Sequence, residues 1–248
     1  MRKLLQSNIE SHTGVCGFCD EIKILCKSHI IPEFEYKTLY DEKHRMSVIQ
    51  DTVPGGRYIQ KGFYEYLLCT GCERFLNSEY ESFYSKNYSN LLPAKLKRIV
   101  SEFTIKGVDY SRFKLYLLSV FWRILIARNM PFSHVKNQMH INPIRQLLKS
   151  KIPPCESDYP LYGFLIIDKR DGEVFKEIIT TPRLIRISGI PAVMAVFGGV
   201  KWVLFLSTGL KMPPPSIRQN GLLVLQVRDI KEIGEIRRAI SYYKYVSS

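Results

Sequence analysis

No stretch of this chain is apolar for long enough to span a bilayer. The two longest candidates, "LYLLSVFWRILIA" and "VMAVFGGVKWVLFLSTGL", are broken by Arg123 and by a glycine pair with Lys201. The start, "MRKLLQSNIESHTG", has two basic residues but no apolar core of signal-peptide length. Internal repeats and low-complexity tracts are also lacking, which excludes solenoids and biased tails. Acid is in short supply, with 23 Asp and Glu against 36 Lys and Arg. Cysteine is sparse at six residues, too few for a disulfide-built scaffold of 248 residues. Together these absences predict a cytoplasmic, membrane-free globular protein. A hydrophobic share of 46% is enough for a sizeable core.

The positive charge is unevenly placed. Residues 1–85 carry 10 basic against 12 acidic side chains, residues 86–128 carry 9 against 2, and residues 129–248 carry 17 against 9. A basic surface of this size favours polyanions, because each neutralised phosphate releases a counterion. Lys95, Lys97, Arg98, Arg112 and Lys114 are the candidate backbone contacts to nucleic acid, since a phosphate contact needs only outward positive charge.

Periodicity divides the chain into residues 1–88, 89–155 and 156–248. In the first, "IKILC" and "FYEYLLC" read as strands, "VPGGRY" as a turn, and residues 70–88 as a helix. In the second, "LLPAKLKRIVSEF" has helical spacing, "YSRFKLYLLSVFWRILIARNM" reads as a central buried helix, and "NPIRQLLKSKI" as a third helix ended by Pro153 and Pro154. In the third, "YGFLIID" and "EVFKEIIT" flank "KRDG" as a hairpin. Four more strands follow, "RLIRISG", "PAVMAVFGG", "KWVLFLST" and "GLLVLQVRD", and then a basic amphipathic helix, "KEIGEIRRAISYYKY". The fold class is α+β: a Cys-bearing unit, a helical middle and an antiparallel β-rich end that offers a surface for a protein partner.

Four of the six cysteines form two C-x-x-C pairs, Cys16/Cys19 and Cys69/Cys72. A two-residue gap lets one knuckle turn present two thiolates, and two such pairs complete a tetrahedral Zn²⁺ site of structural type. The competing readings are redox dithiols, which need a thioredoxin-like βαβ context absent here, and unrelated buried thiols. Cys26 and Cys155 read as small core residues. His12, His44, His134 and His140 lack partners at catalytic or metal-binding spacing.

Between the pairs lies "SHIIPEF", and the second pair runs into Glu73 as "LLCTGCE". With these residues the segment of about 14–85 resembles the HNH nuclease family, whose ββα-metal fold often carries two zinc-binding C-x-x-C pairs. It is also similar to a group of bacterial HNH-like proteins with "SHIIP" and "LLC-x-x-CE", often associated with anti-phage defence. The resemblance implies a metal-dependent endonuclease that hydrolyses DNA. His29 would be the general base on the first strand, and Glu73 the helix ligand of a catalytic Mg²⁺ or Mn²⁺. Asn77, four residues beyond Glu73, shares its helix face and would complete the site, whereas Glu79 and Glu81 fall elsewhere on the wheel as solvent-facing charges. Two departures stand out. Ser28 occupies the position where a carboxylate or His usually precedes the catalytic His. No Asn occurs between Ile30 and Cys72, where Gln60 or Glu65 could substitute. The alternative implied by these departures is a non-catalytic zinc-containing adaptor that binds nucleic acid.

Overall fold

The structure, a computed structural model, describes residues 12–48 and 57–234. It begins with a three-stranded antiparallel sheet in the order β1-β2-β5, built from β1 (Thr13–Val15), β2 (Ile22–His29) and β5 (Tyr64–Cys69). Pro32 cannot extend β2, and the chain turns into a 3-10 helix over Glu33–Leu39. A small ribbon, β3 (Arg45–Val48) with β4 (Arg57–Gln60), precedes β5. The turn expected in "VPGGRY" lies outside the described residues apart from its last two positions.

Directly after β5 comes α1 (Thr70–Leu76), which passes through a π-helical turn (Asn77–Glu81) into α2 (Ser82–Tyr88). The helix expected over residues 70–88 is therefore present, with one turn widened. The helix expected in "LLPAKLKRIVSEF" is not. Leu96 N–H bonds Gly172 O at 2.9 Å, and β6 (Glu102–Ile105) pairs with β11 (Leu223–Asp229). An open sheet edge outcompetes a helix whose apolar side would otherwise have nothing to pack on.

The central helix α3 (Tyr110–Ile126) is capped by Asp109, whose carboxylate accepts Arg112 N–H at 3.0 Å. From Phe113 to Leu125 every residue is buried, so α3 is the axis of the molecule. It packs against α4 (Gln138–Ser150), the third helix expected from the sequence. A six-stranded sheet completes the fold in the order β6-β11-β7-β10-β9-β8, with β7 (Leu161–Ile167), β8 (Arg183–Ile187), β9 (Ile190–Phe197) and β10 (Val200–Phe205). All neighbours are antiparallel except β11 with β7. Two-residue turns, Ser188-Gly189 and Gly198-Gly199, have positive φ at both positions, the twist-matched hairpin geometry.

The "KRDG" hairpin does not form. Both edges of β7 are occupied, by β11 and β10, so "EVFKEIIT" forms no strand; isolated bridges from Val174 to Ile167 and from Glu173 to Lys95 hold it, with Phe175 N–H bonding Ile166 O and Val174 N–H bonding Ala94 O. The closing helix expected beyond Glu232 lies mostly outside the described residues. The architecture is α+β, with four α-helices and largely antiparallel sheets among the described residues, where no helix is long and apolar enough to cross a membrane. One buried cluster runs from Cys16 and Phe18 through α3 to Leu223 and Val227, joining the Cys-bearing sheet to the large one.

Packing is tight at the middle of β7, where an added Cβ on Gly163 would lie 2.4 Å from Leu225 Cδ2 and 2.8 Å from Trp202 Cζ3. Gly163→Ala is expected to lower unfolding stability by about 1–3 kcal/mol in urea titration, the usual result of overpacking.

Candidate metal centre and catalytic site

Three elements bring the four thiols together. Cys16 and Cys19 flank the turn joining β1 to β2, Cys69 ends β5, and Cys72 sits in the first turn of α1. Their sulfurs all lie within 4.8 Å of one another. A zinc tetrahedron with bonds near 2.3 Å needs sulfurs about 3.8 Å apart, so this cluster fits Zn²⁺ with slight contraction. All six cysteines are free thiols. Burial pushes the Cys16 thiol up, but backbone N–H groups of Cys19, Cys69 and Phe18 outweigh it and bring it down to about 7. Burial and the neighbouring thiols push Cys72 up; a bound cation would reverse that.

The knuckle turn docks onto the helical layer. Arg145 of α4 donates to Gly17 O at 3.1 Å and pairs with Asp20, while Phe18 meets Trp122 of α3 edge-on at 5.4 Å. Outside the cluster, Cys26 is half-buried and donates to Leu68 O at 3.2 Å. Cys155 is exposed beside Ser157, not in the core as expected, because the segment after Pro154 runs over the surface.

His29 ends β2 opposite Tyr64 of β5, with Tyr64 and Tyr36 rings 6.2 and 6.4 Å away. Its Nε2 lies 2.7 Å from Lys61 O and 2.6 Å from Glu33 Oε2. A carbonyl can only accept, so Nε2 donates its N–H to Lys61 O. Among the described residues Nδ1 takes no hydrogen bond, and the side chain is 28% exposed. Glu33 also accepts Tyr40 O–H at 2.9 Å and lies 3.7 Å from His44 Nε2. The sequence reading missed Glu33 and His44. The available signal was the Pro32 break, which folds Glu33 back onto His29 four residues earlier.

Glu73 projects from α1 toward α3, where Arg123, wholly buried, lies 3.8 Å from Glu73 Oε1 and 2.5 Å from Glu81 Oε1. Burial pushes the Glu73 carboxyl up; Arg123 and Ser28 pull it back, and the His29 ring acts on it too. Glu81 is thus a buried partner and not the solvent-facing charge expected. An α-helix turns about 100° per residue, which would set Glu81 about 80° from Glu73. The π turn absorbs one residue and realigns them to within about 20°. Ser28 Oγ, the Glu73 carboxyl and the Arg123 guanidinium are packed together here almost wholly shielded from solvent.

Asn77 does not join them: it is exposed, and its Oδ1 accepts Ser82 O–H at 2.8 Å. Glu65 is buried and accepts the N–H groups of Arg128 and Asn129 at 2.8 and 3.0 Å, an anchor for the end of α3; Gln60 is exposed. Of the basic candidates, Lys95, Lys97, Arg98 and Arg112 are exposed, Arg112 lying 4.3 Å over the Phe83 ring. Lys114 is the exception. It is buried, donates to Tyr110 Oη, Cys155 O and Asp158 O, and is brought down by burial to about 8. It faces inward because α3 is enclosed on all sides. Comparison with known proteins finds no matching family model, curated protein or solved structure.

Two outcomes are expected. Purified protein carries one zinc per chain by elemental analysis, and Cys19→Ser with Cys72→Ser abolishes it and lowers the melting temperature. Arg123→Met, which strands Glu73 and Glu81 without their countercharge, costs about 3–5 kcal/mol of unfolding free energy.

Proposed function

We propose that this protein is a metal-dependent endonuclease of HNH type that hydrolyses phosphodiester bonds of DNA, with zinc at the four-cysteine centre bracing a ββα-metal unit formed by β2, β5 and α1. One observation carries the reading: the His29 Nε2 N–H is committed to Lys61 O, and Nδ1 of the partly exposed ring takes no hydrogen bond among the described residues, which leaves it to act as the base. Nδ1 takes a proton from the attacking water, and Glu33, 2.6 Å from Nε2, stabilises the imidazolium that results. A catalytic divalent cation would be held by the carboxylates of Glu73 and Glu33, both of which act on the His29 ring. When bound, Mg²⁺ or Mn²⁺ supplies polarisation of the phosphate and stabilisation of the leaving alkoxide. Lys95, Lys97, Arg98 and Arg112 supply sequence-independent phosphate contacts.

A second reading, a non-cutting zinc module that binds nucleic acid, is favoured by the Arg123 guanidinium 3.8 Å from Glu73, which competes with a cation for that carboxylate. Supercoiled plasmid with Mg²⁺ or Mn²⁺ separates the two. Nicking or linearisation that falls by about 10²–10⁴-fold in His29→Ala supports the endonuclease. Salt-sensitive binding with no cleavage by either ion overturns it.

A further inference from the structure

The 3-10 helix that follows His29 places Glu33 against the imidazole and turns Glu35 the other way, into a cleft between α2 and the large sheet. We propose that this cleft is a binding site for a small flat organic cation, of amidinium or aryl-ammonium type, with Glu35 as its counter-ion. The site does not depend on the phosphodiesterase reading. The cleft is open to solvent and holds a cavity of about 80 Å³, room for the charged head of a small planar ligand and not for a drug-sized one.

Glu35 is only 8% exposed. One oxygen, Oε1, accepts Tyr116 O–H at 2.8 Å, and no other hydrogen bond or cation reaches the carboxyl among the described residues. Oε2 lies against Gly198, where a Cβ would intrude to 2.8 Å, so the β9–β10 turn makes room for the carboxyl. Lys176, also at the cleft, is spent on Leu92 O at 2.8 Å. Rings of Phe34, Tyr84, Tyr88, Phe113 and Trp202 form the walls. Aromatic faces attract cations, and a carboxylate takes a planar N–H pair in a charge-assisted bond. Burial without a countercharge pushes Glu35 up to about 7, a shift that a bound cation would reverse.

The test compares benzamidine with benzamide, its uncharged near-isostere, on the full-length chain by calorimetry. Benzamidine is expected to bind at least about tenfold more tightly, the difference one charge-assisted bond provides. The preference should vanish in Glu35→Gln, and binding should be lost in Ser89→Trp, which fills the cleft mouth from an exposed position. Equal or absent binding of the two compounds to the wild type overturns the site, as does a preference that survives either folded variant. If Glu35→Gln fails to fold, the wild-type ratio and Ser89→Trp decide alone.

Discussion

A guanidinium cannot shed its charge, and Arg123 sits wholly buried in the axis helix of this molecule. Carboxylates therefore have to come to it. Glu73 and Glu81 do so from the helix that follows the second cysteine pair, and the π turn between them is what lets both reach the same side. This constraint locks α1 to α3 and sets the depth at which Glu73 stands beside β2. It also gives Glu73 two roles in tension, since the same carboxylate serves as countercharge to Arg123 and acts electrostatically on His29. The extra residue in the helix is thus a device of the fold and not an irregularity.

The four thiols act at the other end of the same elements. They join the start of β2, the end of β5 and the start of α1, which are the places where a three-stranded sheet with a single helix would otherwise fray. Metal binding of this kind is worth on the order of 10 kcal/mol, comparable to the whole stability of a small domain. The Cys-bearing sheet still does not stand alone. Phe18 and the knuckle turn press on Trp122 and Arg145, so the centre is anchored to α3 and α4.

The chemistry proposed for His29 rests on how its ring is held. Lys61 supplies a carbonyl at the start of the approach to β5, and Glu33 returns through a proline-initiated turn, so one nitrogen is committed and the other is left available. A general base would use this arrangement: one ring nitrogen anchored on a carbonyl, an acid beside it and partial solvent access. Glu35, two residues further along the same turn, faces the opposite way into aromatic surroundings, so one short segment contributes to two chemically distinct environments.

Local signals were sufficient wherever chemistry or periodicity is short-range. The two C-x-x-C pairs, the strands around them, the buried helix at 110–126 and the strands at 183–187, 190–197 and 200–205 all follow from adjacent residues. His29 and Glu73 stand out in the sequence because each belongs to a motif. Only the tertiary structure decided the rest. Residues 91–103 have helical spacing, but their end enters β6 (Glu102–Ile105) on a sheet edge that β11 presents from more than a hundred residues away. Lys114 and Glu81 carry charges that a linear reading sends to solvent, and long-range partners draw both inside. The same cause hid Glu33, His44 and Glu35. Their meaning comes from what stands opposite them, and a sequence read along one dimension cannot show which side a turn or an extra helical residue will face.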